Sequence, residues 1–506
     1  MPYTLQLDDA SLLILLGIIA IALFSRSGLL TAQPSAHPLV FARQGEPSAT
    51  RVKGKSPVYK HWSGTSGAGL RPENGVTGLK EVLKARDGKV FVDDAEVDLW
   101  SASKRLYTGL NKLLAGSTSS PSAPILAFLP SSSTKETFLP TLLLNLVPAH
   151  NDSEKRYHLV TITAASHIVH AFQDGGEVPL VYTNPRDVQT VLDATIKSEG
   201  YIIVPSSNGV TPELKKRVSA RGWQLTTLED VMAPETLSAK MESGKPSDPS
   251  ALHSVHYITG PDGVPERRTM TNQTITASLV SLLALFPVSA KPTRKHIVLT
   301  SVDLAQPVGL AIVVLAIYKA KGVRWIESMD SIYRVATAQD DEYLAFLSTQ
   351  QLNTLTKQIV KSAAAHPLYP LVKRRKEAAL LEGSISRAGW MENMVFGRKR
   401  GWAERLSSVV LVDAGGPTTL SPDELRDAFI HFSAPIIRTC TTQSSASPVC
   451  ATLYHDLQLV PFVESGEAKM HVGPPAVGVE VELRGDGVEV LDVGGDPRGA
   501  NKADQG

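Results

Sequence analysis

The chain is short of cysteine. Of 506 residues only Cys440 and Cys450 are cysteines, too few for a disulfide framework, and a reducing compartment is the natural setting. It also lacks an excess charge of either sign. Lys and Arg number 51 against 50 Asp and Glu, a formal net charge of +1, which removes the electrostatic case for nucleic acid. No internal repeat of short period is present. Histidines at metal-ligand spacing are also scarce. His167 and His170 in "SHIVH" have helical i, i+3 spacing, but no cysteine or carboxylate cluster accompanies them, so no metal site is expected. What remains is ordinary for a globular protein, 42% hydrophobic and 20% charged, and long enough for two or three domains' worth of packed structure.

Long apolar runs are rare too, with one exception. Ala10 to Phe24, "ASLLILLGIIAIALF", carries no charge. It is shorter than the roughly 20 residues that cross a bilayer unaided, and a cleaved signal peptide, a retained anchor and a buried or interfacial helix are the three readings. Asp8 and Asp9 precede it, where a signal peptide wants positive charge, and Arg26 and Arg43 follow it. The anchor reading therefore leads, and the positive-inside rule then puts the bulk of the chain in the cytosol. The sequons at Asn151 and Asn272 would stay unglycosylated there.

Along the chain the pattern predicts residues 1–30 as membrane anchor and 31–75 as a turn-rich linker and opening segment. A first α/β subdomain is predicted over 76–245 and a second over 246–470, with a small β layer over 471–493 and a disordered tail over 494–506. "APILAFLP" from Ala123, "VPLVYTN" from Val178 and "GYIIVPSS" from Gly200 read as buried strands. "KHIVLTS", an apolar helix over 304–320 and "VRWIES" form a βαβ unit and hence a parallel pair. A mostly helical stretch is predicted from about Asp340 to Glu382. Strands "SSVVLVDAGG", "APIIRTC", "VGVEVELRG" and "VEVLDVG" follow.

Five segments in order resemble the adenylate-forming (AMP-binding) superfamily, in particular its long-chain acyl-CoA synthetase branch. "HPLVFARQGEPSATRVKGKSPVYK" resembles its opening segment and "VHYITGPDGVPERRTMTNQTITA" its phosphate loop. "LTSVDLAQPVGL" resembles its Leu-Ala-His turn, "VVLVDAGGPTTLSPDEL" its adenine-cradling segment and "HVGPPAVGVEVEL" its Gly-x-Val-Gly-x-Pro strand. The resemblance implies an α/β fold of two stacked αβα subdomains plus a small β layer. It also implies a fatty acid–CoA ligase reaction using ATP and Mg²⁺. Carried over residue by residue, it makes Thr259, Gly260, Gly263, Gly415, Gly416, Pro417 and Thr442 the nucleotide-site positions.

Three departures weigh against that reaction. Glu266 stands where the phosphate loop carries lysine, Gln443 replaces the magnesium carboxylate, and Gln306 replaces the histidine. An anion at about 4 Å from phosphate, at an effective dielectric near 20, repels by roughly 4 kcal/mol where lysine would attract by as much. Neutral Gln443 is a weak ligand for a hard cation. The C-terminal lid with its catalytic lysine has no counterpart in the sequence. The expectation is a catalytically degenerate, membrane-anchored relative at the endoplasmic reticulum, with no catalytic residue, no metal and no cofactor. The bilayer, an acyl ligand and a protein are its expected partners. An active acyl-CoA synthetase with an atypical site, or a lid supplied in trans, is the alternative.

Three other features read as ordinary structure. "WSGTSGAG" from Trp62 ends in no lysine and reads as a surface turn. Cys440 and Cys450 read as small buried residues. "KRRK" from Lys373 and "GRKRG" from Gly397 read as a solvated helix face near anionic lipid headgroups.

Overall fold

The computed structural model describes residues 14–19, 46–47, 58–61, 70–93, 95–115, 122–129, 134–151, 156–174, 180–195, 199–232, 246–259, 263–327, 341–385, 390–397, 405–413, 420–457, 473–484 and 487–493. Three sheets organise them. The first has seven strands in the order β11-β10-β6-β5-β7-β8-β9. They are β5 (Ser122–Phe128), β6 (Arg156–Ile162), β7 (Leu180–Thr183), β8 (Gly200–Val204), β9 (Trp223–Thr227), β10 (Leu252–Thr259) and β11 (Pro265–Thr271). All pairs are parallel except β10–β11.

The second sheet has the order β17-β16-β15-β14-β12-β13-β3-β4. Its strands are β3 (Lys89–Val92), β4 (Ala95–Asp98), β12 (His296–Thr300), β13 (Gly322–Trp325), β14 (Glu342–Leu347), β15 (Leu406–Leu411), β16 (Ile436–Cys440) and β17 (Cys450–Ala451). It is parallel between its two antiparallel edges. The small third sheet joins β1 (Glu46–Pro47) and β2 (Val58–Lys60) to β18 (Val479–Arg484) and β19 (Gly487–Val493).

Parallel strands covered on both faces must be apolar throughout, which is why every residue of "LVYT" in β7 and "HIVLT" in β12 is buried. One core cluster unites the inner faces of both large sheets, including Ile125, Leu159, Val298 and Phe346, with two helices between them. The helix Pro307–Lys319 is apolar all round and buried from Pro307 to Tyr318, as a helix packed on every side must be. Its neighbour Asn272–Ala284 is started by the capping box of Thr271 and Thr274. Separate clusters cover the outer faces: Ile168, Val191 and Val218 on the first sheet, Leu355, Ile359 and Phe429 on the second. The architecture is two stacked αβα units.

Most of the expected strands are present within a few residues of their predicted ends, and the βαβ unit is parallel, with Ile297 opposite Gly322. Three expectations are corrected. Residues 342–347, expected as helix, form β14 at the centre of the second sheet. "EYLAFL" is the continuous apolar run of a parallel interior strand, which periodicity alone does not separate from helix. The expected linker supplies β1 and β2, with Tyr59 opposite Val481. The sheets also cross the expected division at 245/246, since β10 and β11 complete the first sheet while β3 and β4 end the second. Apart from these corrections, no helix among the described residues is long and apolar enough to cross a membrane, and most of the expected anchor lies outside the described residues. Of the N-terminal run, residues 14–19 are described, as an exposed helix.

Candidate functional site

Strands β5, β6 and β10 of the first sheet and β12, β14 and β15 of the second all run their carboxyl ends toward one cleft of about 520 Å³. That end of parallel sheets is where α/β proteins bind ligands. The first sheet contributes Leu129, Thr163, Tyr257 and Ile258. The second contributes Ser301 to Asp303 after β12, Ala305 to Pro307 at the start of the central helix, Ser348 and Gln351 after β14, and Val412 and Asp413 after β15. Gln443 closes it from the turn after β16.

The polar lining is tied together. The Oε1 of Gln351 accepts from the hydroxyl of Ser301 at 2.5 Å and from the N–H of Ser348 at 2.9 Å. Asp303 accepts the N–H of Ala305 at 2.9 Å, the short-range bond by which aspartate makes a turn. Asp413 accepts the N–H of Thr349 at 2.8 Å and also its hydroxyl, while its carbonyl accepts from Thr441 at 2.6 Å. Behind Asp413 lies the buried Arg438. Burial lowers the pKa of its guanidinium, and the charges of Asp456 and Asp413 oppose that shift. Gln306 is the N-cap of the central helix without a side-chain capping bond, and its Oε1 is buried without a hydrogen-bond partner. The turn that carries it folds back so closely that a Cβ on Gly309 would lie 2.0 Å from the carbonyl oxygen of Asp303. The described lining thus offers two carboxylates and three glutamine amides, and it contains no lysine or arginine.

Of the residues the sequence singled out, Gln306 and Gln443 meet in this cleft. Thr259 ends β10, with its hydroxyl 3.4 Å from Nε2 of the buried His167. Gly263 has a φ of +80° in open space, a conformation that favours glycine. Glu266 lies opposite Ile258 on β11 and pairs with Arg268 at 2.5 Å, outside the described cleft lining. Its charge is met by a neighbour two residues along its own strand. Thr442 turns to Ser444, hydroxyl to hydroxyl at 3.0 Å, and is not in the lining. Gly260, Gly415, Gly416, Pro417 and the turn from Trp62 to Gly69 lie outside the described residues.

His167 and His170 sit on the helix Ala165–Asp174. Among the described residues no group of three or more His, Cys, Asp or Glu could hold a metal ion. Cys440 and Cys450 are free thiols opposite one another on β16 and β17. Burial raises the pKa of Cys440, and burial together with Cys440 pushes that of Cys450 up to about 12. Ser301, Asp303, Ser348, Gln351 and Asp413 were missed by sequence reasoning. Their one signal is position, each falling just after a strand of the parallel sheet.

The sequence matches no protein-family model and none of the curated proteins. Solved structures do resemble the fold. The luciferase-like enzyme of the mealworm Zophobas morio matches with a TM-score of 0.54 at 11% identity, over 85% of this chain and 88% of that one. Coronafacic acid ligase from Pectobacterium brasiliense matches at 0.52 and 11%, over 81% and 67%. MatB from Rhodopseudomonas palustris matches at 0.50 and 11%, over 82% and 70%. At such identities the likeness is one of fold. The chain shares the α/β fold of these solved structures.

Proposed function

We propose that this chain is an acyl-activating-enzyme-like protein that no longer couples ATP to acyl transfer. In this reading it acts as a binding or scaffold protein of lipid metabolism, of long-chain fatty-acid type, held by residues 10–24 at the cytosolic face of the endoplasmic reticulum. The observation that carries it is the lining of the cleft. A triphosphate there meets Asp303 and Asp413 and no described cation, so charge repels it. Both carboxylates are already engaged by donors of their own chain, and Gln443 stands where the resemblance calls for a magnesium carboxylate. The residues described do not fit Mg·ATP, and no reaction step is derived through it. An acyl chain remains compatible with the apolar wall of Leu129, Tyr257, Val302 and Val412.

The test is isothermal titration of the full chain with Mg·ATP, beside the variant Gln306→Lys, which puts an ammonium into the cleft. No heat with wild type is expected. Tight binding by wild type, followed by acyl-adenylate formation from a fatty acid, would establish the alternative, an active acyl-CoA synthetase.

A further inference from the structure

The helix Tyr369–Leu381 turns Val372, Lys376 and Leu380 into the protein. Its other side presents Leu371, Arg374, Ala378 and Leu381, whose spacing of three and four residues is that of a single helix face. Leu371 is 55% exposed and Leu381 78%. The short helical segment Trp390–Gly397 exposes Trp390 by 70% and Met394 by 49%. The two segments are one packed unit. Lys376 Nζ lies 3.5 Å from the carboxylate of Glu392, both side chains buried, and 5.5 Å from the ring centroid of Phe396. Tyr369 meets Phe396 edge-on at 6.3 Å. Outside residues 14–19, only Val264 and Val288 among the described large apolar residues are exposed in the same way, so apolar exposure gathers on this unit.

Charge gathers there too. The helix carries four successive basic residues, Lys373 to Lys376, followed by Glu377 and Glu382, in a chain whose net charge is only +1. Lys376 is consumed by Glu392 and Lys373 by Asp427 at 3.1 Å. Arg374 lies on the apolar face and Arg375 beside it.

We propose that this face is a second membrane contact, specific for anionic phospholipid. Leu371, Leu381, Trp390 and Met394 enter the boundary between headgroups and acyl chains, and Arg374 and Arg375 meet the lipid phosphates and carboxylates. Apolar side chains beside arginine, with tryptophan among them, are the composition of an interfacial element. Nucleic acid would use the charge but leave the four apolar side chains in water. A second copy of the same face would bring like charges together. The inference rests on the membrane reading above and completes it physically. A 15-residue apolar run is short for a stable anchor, and lasting attachment takes two signals.

The full chain is mixed with vesicles of brominated phosphatidylcholine, alone or with about one third phosphatidylserine. Flotation reports attachment of the chain. The tryptophan quenching that is lost in Trp390→Phe reports this face alone. Expected is Trp390-dependent quenching on the anionic vesicles, falling about fivefold for each arginine removed in Arg374→Gln and Arg375→Gln. It should also fall at about 0.5 M salt. The substituted side chains reach the surface, and an unchanged melting temperature confirms that the variants fold. Flotation without Trp390 quenching on anionic vesicles overturns the inference and leaves the anchor standing. Neither flotation nor quenching overturns both. Quenching indifferent to lipid charge and to both arginines overturns the lipid specificity. A DNA duplex bound through Arg374 and Arg375, with no vesicle quenching, makes the face a nucleic-acid surface instead.

Discussion

Ser301 and Gln351 hold the cleft together from the segments that follow two adjacent strands, β12 and β14. The hydroxyl of Ser301, just after β12, donates to Gln351 Oε1 at 2.5 Å, and the same oxygen accepts the N–H of Ser348, just after β14, at 2.9 Å. Gln351 also gives its own N–H to Ser348 Oγ at 3.3 Å, closing a capping box on the helix Thr349–Ala364. One side chain therefore serves the cleft wall and the helix start.

Gln351→Ala should accordingly cost more than Ser301→Ala. Loss of the helix-capping partner and of the shared acceptor amounts to about 1–2 kcal/mol, against about 1 kcal/mol for the serine hydroxyl alone. Urea unfolding of the two variants checks this. Equal losses would mean that the shared oxygen does not hold the wall.

Gly309 is a second point where the cleft dictates sequence. Its missing Cβ lets the Asp303 carbonyl approach the first turn of the central helix. Gly309→Ala would normally favour a helix. Here the added carbon meets backbone rather than a movable side chain, and the expected outcome is a loss of about 1–3 kcal/mol or more. A thermal melt of the variant reads it. A stabilised Gly309→Ala would show that the turn can withdraw.

Acid should destabilise this fold through histidines buried between the sheets. Burial lowers His253 and His256 from 6.5 to about 4, with the carbonyls of Asn145 and Ala305 opposing the shift. The folded chain then keeps both neutral at a pH where the unfolded chain protonates them. Their contribution is whole above about pH 6.5 and is lost as the pH falls toward about 4. Unfolding free energies measured from pH 7 to 5 should decline. In His256→Gln the slope should flatten by about one proton, or about 1.4 kcal/mol per pH unit. An unchanged slope would place the titrating groups elsewhere.

Sequence and structure agree where a local pattern has only one reading. "KHIVLTS", an apolar helix and "VRWIES" could only be a parallel βαβ unit, and Pro307 marks the helix start by lacking an N–H that the first turn does not need. They disagree where the pattern is shared. "EYLAFL" satisfies a buried strand and a buried helix alike, and neighbours on both sides in the sheet decide it. The cleft was legible at Gln306 and Gln443 because resemblance supplied a position to compare. Ser301, Asp303, Ser348, Gln351 and Asp413 are common residues, made neighbours by the order of the strands, and strand order is not written locally. Glu266 shows the converse. Its charge was plain in the sequence, but its pairing with Arg268 depends on the hairpin that places both on one strand.

The buried pair Lys376 and Glu392 gives a test by double substitution. Lys376 Nζ also donates to the carbonyl of Ile430 at 3.1 Å and to Ser433 Oγ, so the ammonium has acceptors besides the carboxylate. Lys376→Met should therefore be the more damaging single change, at about 3–5 kcal/mol, because it leaves an ionised group in the core. Glu392→Gln should cost less, since the lysine keeps the oxygens of Ile430 and Ser433. Lys376→Met combined with Glu392→Leu removes both charges, and stability should recover most of the single loss, because replacing a buried pair with packed apolar groups is often neutral. Urea unfolding of the four proteins completes the cycle. If the double variant is no more stable than Lys376→Met, the ammonium matters through its bonds to the helix Pro422–Phe432 and not through Glu392. The helical segment bearing Trp390 would then be held through Phe396, which packs on Tyr369 and His431.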